Sequence, residues 1–152
     1  DPLWSRGLGD VYKRQLVKVD KKTGEKVLIS SRTYKVSKDG TVTADTKDAG
    51  DYVLLNEKDA KALSSKILKS IALKDTKKTV ANGKKAKVTF DKNLNMENVK
   101  KITYTSSKKS VVTVNKNGTI VAKKAGKAVV KVKVTLKNGK TKTVKMTIKV
   151  TK

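Results

Sequence analysis

The sequence predicts an all-β protein: a two-sheet antiparallel sandwich of short strands in its C-terminal half, preceded by part of another β-domain. Three observations predict it. Apolar residues alternate with Lys and Thr over most of residues 70–152, the period of strands with one buried face. Turn signals interrupt the alternation at Asn82-Gly83, Asn117-Gly118, Ala125-Gly126 and Asn138-Gly139, and Asn-Gly suits the positive φ of hairpin turns. Hydrophobic residues make up 36% of the chain and aromatics only 4%, so the core is thin and aliphatic. That fits a domain of ~80 residues, which buries only a little over 60% of its unfolded surface.

Residues 1–15 stand apart. Ser5 to Gln15, SRGLGDVYKRQ, resembles the translation, in one frame, of a sequencing-library adapter. Residues 1–15 are therefore expected to be non-native and are left out of the fold reading, which places the start of the native polypeptide near Leu16.

Residues 16–55 read as paired strands, the C-terminal part of a β-sandwich domain. Leu16 to Asp20 and Lys26 to Ser30 flank Lys22-Thr23-Gly24. Tyr34-Lys35-Val36 and Thr41 to Ala44 flank Asp39-Gly40, a stronger hairpin signal. In the last strand, Asp51 to Leu55, Tyr52 and Leu54 face one way and Val53 the other. The preceding Asp48-Ala49-Gly50-Asp51-Tyr52 resembles the tyrosine corner of sandwich domains, in which a Tyr hydroxyl ties a Greek-key corner to nearby backbone. Residues 56–69, without Gly or Pro, form a linker predicted to hold a turn or two of helix, with Ala60, Leu63 and Ile67 on one face and Asn56 as its cap.

Residues 70–152 form the intact domain. Ile71 and Leu73 open it, and the chain turns after Val80. Lys85 to Phe90 follows, with Ala86, Val88 and Phe90 on one face. Asn93 to Lys100 reads as a loop whose Leu94, Met96 and Val99 plug one end of the core. Next come Ile102 and Tyr104, Val112 and Val114, and Ile120 and Ala122. In the final hairpin Ala128, Val130, Val132, Val134 and Leu136 face inward opposite Val144, Met146, Ile148 and Val150. One aliphatic face and one Lys/Thr face is the pattern of antiparallel sheets covering a core on one side.

This stretch resembles the bacterial immunoglobulin-like domain, group 2. The residues that carry the likeness are Ile102-Thr103-Tyr104, Ser106-Ser107, Ser110-Val111-Val112-Thr113-Val114, Asn117 to Ala122, and Ala125-Gly126-Lys127-Ala128. Tyr104 stands where Trp is common in the family, and Val112 where Ala is common. The resemblance implies an immunoglobulin-like Greek-key sandwich and a spacer or binding module in a secreted or surface-attached bacterial protein, of which this chain is one part. The motif positions are core and turn positions and imply no catalytic residue.

The chemistry is bounded by what is missing. There is no Cys and no His, which removes thiol nucleophiles, thiolate and imidazole metal ligands and the commonest general base. In residues 70–152 the carboxylates are Asp75, Asp91 and Glu97, on separate loops. A glycosidase pair needs two within ~5–9.5 Å, and calcium needs a cluster. No catalytic, cofactor-binding or metal site is therefore expected, and no run of ~18 apolar residues crosses a bilayer. The net charge is +25; residues 70–152 hold 23 lysines, no arginine and three acidic residues. Such a balance admits polyanionic partners. The expected function is a non-catalytic structural or adhesive module, secreted or at the cell surface, with an anionic cell-wall polymer or host glycan as partner. The alternatives are a non-specific nucleic-acid-binding basic domain and an accessory domain of a secreted carbohydrate-active enzyme. Nucleic acid is disfavoured because Phe90 and Tyr104 face inward and Arg is absent, whereas reading bases requires those groups.

Overall fold

The structure, a computed structural model, describes residues 15–29, 34–36, 42–44, 46 and 49–152. It divides into two compact units, Asp1–Lys66 and Ile67–Lys152.

In the first unit β1 (Gln15–Val19), β2 (Lys26–Leu28) and β5 (Asp51–Leu55) form an antiparallel sheet in the order β2-β1-β5. The β1–β2 turn is organised by Asp20, whose Oδ1 accepts the N–H groups of Lys22 and Thr23 at 2.8 and 3.1 Å. Those backbone bonds, Thr23 first, hold the Asp20 carboxyl below its ordinary range. Gly24 completes the turn at φ +73°. β1 starts at Gln15, which pairs with Leu55; the remainder of the adapter-like stretch lies outside the described residues. β3 (Tyr34–Val36) and β4 (Val42–Ala44) pair antiparallel, while the Asp39-Gly40 turn between them lies outside. Of the corner motif, Asp48 is also outside, and Tyr52 is half-buried in β5 opposite Lys18.

Helix α1 (Glu57–Ser70) is longer than the turn or two the spacing predicts. Its cap is the expected one: Asn56 Oδ1 accepts the Asp59 N–H at 2.7 Å. Glu57 and Asp59 occupy the first turn and Lys69 the last, as the helix dipole favours. With no Gly, Pro or β-branched residue before Ile67, nothing in the sequence stops propagation after two turns.

The second unit is a sandwich of two sheets. Its strands are β6 (Lys77–Ala81), β7 (Lys85–Lys87), β8 (Val99–Ser106), β9 (Val112–Val114), β10 (Thr119–Ala122), β11 (Gly126–Leu136) and β12 (Thr141–Thr151). One sheet has the order β6-β12-β11-β8 and the other β7-β10-β9. The chain thus changes sheet between β6 and β7, β7 and β8, β8 and β9, and β10 and β11. Val112, Ile120 and Ala122 of the smaller sheet are buried, as are Val130, Val132, Val134, Leu136, Met146 and Ile148 of the larger. The fold is the predicted all-β immunoglobulin-like sandwich.

Three local expectations change, and one contact is new. β6 pairs parallel to β12, from Thr147↔Lys77 to Thr151↔Ala81, so the larger sheet is mixed. β7 ends at Lys87; beyond it Phe90 bridges Leu73, flanked by bonds from Lys74 N–H to Thr89 O and Asp91 N–H to Ala72 O. Leu94 is buried, but Met96 is 53% exposed, because residues 96–98 form a single 3₁₀ turn that places Met96 on its outer side, and Val99 already belongs to β8. Lys142 sits at an inward position of β12, where its Nζ donates to Leu68 O at 2.9 Å. Leu68 O also accepts the Ile71 N–H at 3.2 Å, and a lysine ammonium on a carbonyl in the last turn of a helix is a favourable pairing.

The β9–β10 turn carries the closest approach. Gly118 has φ +81°, and a Cβ built there would lie 2.9 Å from Tyr104 Cζ and 3.0 Å from its Oη. The Tyr104 ring from β8 therefore lies directly over the glycine. Asn115 Oδ1 closes the same turn by accepting the N–H groups of Asn117 and Thr119, both at 2.9 Å.

Candidate functional site

The three carboxylates of the second unit do not converge in one element. Asp75 precedes β6, Asp91 follows Phe90 and Glu97 lies in the 3₁₀ turn; Asp91 Oδ1 is used locally, accepting the Asn93 N–H at 3.0 Å. Among the described residues no group of three or more His, Cys, Asp or Glu is placed to hold a metal ion. Among them, too, no helix is long and apolar enough to cross a membrane.

The chemistry of this unit lies on the outer face of its larger sheet. Alternation of burial along β11 sends Ala128, Val130, Val132 and Val134 inward, and Lys127, Lys131 and Lys133 to solvent. β12 does the same with Lys145, Thr147 and Lys149. Register then fixes who faces whom. Lys127 stands directly opposite Lys149, and Lys131 directly opposite Lys145. On the flanks Thr105 and Thr103 of β8 face Lys131 and Lys133, and Lys77 of β6 faces Thr147. Of the seventeen outward positions on the four strands, fifteen are Lys or Thr and none is acidic; the other two are Ala81 and Val129. Directly opposed side chains lie ~4.5–5.5 Å apart at Cβ, where like charges destabilise a sheet. None of these lysines has an ion-pair partner among the described residues.

The outer face of the smaller sheet differs. Lys85 and Lys87 lie on its edge strand, opposite Val121 and Thr119, and no lysine is opposed to another. The lysine excess was visible in the sequence. The opposed pairs were not read from it, although counting back from the Asn138-Gly139 turn gives the register of β11 and β12.

Val112, Ile120, Ala122 and Ala128 are spent on the core, the half-buried Tyr104 lies over Gly118 in the β9–β10 turn, and Gly126 opens β11. The sequence profile described as "Bacterial Ig-like domain (group 2)" matches residues 67–151. The chain belongs to this family of bacterial Ig-like domains. The match begins at the first residue of the second compact unit and covers every strand of its sandwich. No curated protein matches the chain. Among solved structures, the Ig-like chain is similar to "Structure of the S-layer protein SbsC, domains 5-6", at 29% identity and TM-score 0.40 over 53% of this chain and 42% of that one. It is also similar to "Crystal structure of the S-layer protein SbsC domains 4 and 5", at 21% identity and TM-score 0.42, over 89% of this chain and 80% of that one. The chain thus spans less than half the length of the first of these.

Proposed function

We propose that the chain is a non-catalytic structural module of a secreted or cell-surface bacterial protein, acting as a spacer and binding unit for an anionic wall polymer or glycan. The observation that carries this reading is membership of the bacterial Ig-like family over residues 67–151. Family and fold supply context, and function rests on the surface the fold presents. Most family motif residues serve core or turn, while Thr103 and Lys127 of the motifs stand on the solvated outer face, which is left for interaction. Asp75 lies before β6, and Asp91 and Glu97 lie in the β7–β8 connection, where Asp91 Oδ1 is engaged by the Asn93 N–H, which does not favour hydrolytic chemistry requiring a matched pair.

The spacer role has mechanical support in the topology. β6 and β12, the strands nearest the two ends of the unit, run parallel and are bonded over five registered pairs. Tension applied at opposite ends of two parallel strands loads their hydrogen bonds together.

Trypsin treatment of intact cells producing the full-length parent protein tests the location. Peptides from residues 67–152 are expected from intact cells, since lysines line its exposed faces. Their release only after lysis would overturn the proposal.

A further inference from the structure

Resting on that surface-module reading, we infer that the outer face of β6-β12-β11-β8 is the docking surface, and that its partner is a linear polyol phosphodiester polymer without bases. Seven of the 23 lysines of residues 70–152 stand on this face, where the fold gains nothing from them. Two Lys–Lys pairs, Lys127 with Lys149 and Lys131 with Lys145, are directly opposed across the central hairpin, an arrangement that weakens a free sheet. Lysines kept only for solubility would face the threonines that fill the rest of the surface. Instead the pairs stand four residues apart, about 14 Å along the strands, with Lys133 one outward position beyond Lys131. Together they make a positive stripe along the hairpin, and the carboxylates of the unit lie off it, in loops.

The side-chain chemistry selects the class of anion. Arg is the residue for planar, bidentate recognition of base edges and of carboxylate or phosphate, and the unit has none, which leaves lysine point charges to hold an anion. Lysine ammonium groups act as mobile point charges and suit tetrahedral phosphate oxyanions. Thr hydroxyls beside them can donate to phosphate or accept from polyol hydroxyls. The face has no aromatic side chain, so neither base stacking nor sugar-ring stacking contributes. A flexible chain whose charges repeat along its length and whose units need no stacking fits this face; a nucleic acid strand leaves its bases unengaged.

The test uses the full chain and a soluble poly(glycerol phosphate) probe, titrated by fluorescence anisotropy at fixed salt. The comparison polymer is a single-stranded DNA of equal charge number. Lys131→Thr/Lys145→Thr removes one opposed pair, Lys127→Thr/Lys149→Thr the other, and Lys85→Thr/Lys87→Thr removes the same charge from the smaller sheet. Thr already occupies neighbouring outward positions, and far-UV dichroism with thermal melts verifies folding of each variant. Each face double variant is expected to lose affinity at least tenfold, the Lys85/Lys87 variant less than threefold, and DNA to bind more weakly than the probe. Equal losses in all three variants would overturn the assignment to this face. DNA binding as tight as the probe would overturn the assignment of the polymer. No binding of the probe by the unaltered chain at low salt would overturn the docking inference while leaving the surface-module reading intact; that reading stands or falls on trypsin accessibility.

Discussion

Replacing Gly118 by Ala puts two separable costs on one atom. The backbone at Gly118 has φ +81°, and a left-handed conformation costs a residue with a Cβ about 1–2 kcal/mol. The new methyl would also stand 2.9 to 3.1 Å from three atoms of the Tyr104 ring, closer than carbon atoms pack. Tyr104 is half-buried on β8, the edge strand of the larger sheet, where it pairs with Val132, so its ring yields only in part. Relieving such a contact costs about 1–3 kcal/mol, for a total of about 2–5 kcal/mol. Gly83 supplies the control: its φ is +80° and nothing lies within 4 Å of a Cβ built on it, so Gly83→Ala should cost only the backbone share. Urea denaturation of both variants, and of Gly118→Ala in a Tyr104→Leu background, resolves the two costs as a double-mutant cycle. Gly118→Ala is expected to cost about 1–3 kcal/mol more than Gly83→Ala, with most of that difference gone when Tyr104 is Leu. Equal costs at the two glycines, or no relief in the Leu background, would refute the packing of Tyr104 against the turn.

Three further outcomes follow from other contacts. Lys142→Ala leaves Leu68 O without its 2.9 Å ammonium donor and should destabilise the second unit by about 1 kcal/mol, seen as a lower melting temperature; an unchanged melt would contradict the contact. Lys145→Thr removes the repulsion with Lys131 and should stabilise the unit by ~0.2–1 kcal/mol at low salt. Salt screens that repulsion, so the gain should shrink in 1 M NaCl; a gain independent of salt would refute an electrostatic origin. Burial raises the Tyr104 phenol above its ordinary value near 10. The folded state thus holds this proton more tightly than the unfolded state, so stability from Tyr104 is intact below pH ~10 and falls as pH rises beyond it. Tyr104→Phe should lose that share of the alkaline decline, measured as the wild type–variant difference in urea midpoint between pH 8 and 11; a constant difference would count against the burial.

Much of the second unit was legible because its two longest strands repeat their pattern over eleven residues each, enough for period two to exclude a helix. The β11–β12 turn was equally plain, with Gly139 at φ +87°. β6 was harder: Val80 is its only buried residue, and its parallel partner lies some seventy residues later in the chain, so no local pattern announces the pairing. Met96 was assigned inward on hydrophobicity alone, and a single 3₁₀ turn was enough to send it out. The role of Lys142 has no signal in the sequence, because its partner is a helix-end carbonyl remote in the chain. The candidate face was half legible: its lysines are in the sequence, but what distinguishes them is the register that sets them opposite one another.

Single-molecule pulling tests the structural role most directly. The chain has no cysteine, so handles can be attached at chosen pairs of engineered ones. Tethers at Asp75 and Lys152 pull β6 and β12 from opposite ends and shear all five registered pairs at once. Tethers at Asn82 and Lys152 pull both strands from the same end and open the pairs one by one, beginning with the 2.9 Å bond from Asn82 N–H to Thr151 O. A module built to carry tension along the chain should yield at a force several-fold higher in the first geometry than in the second. Equal forces in the two geometries would contradict the account.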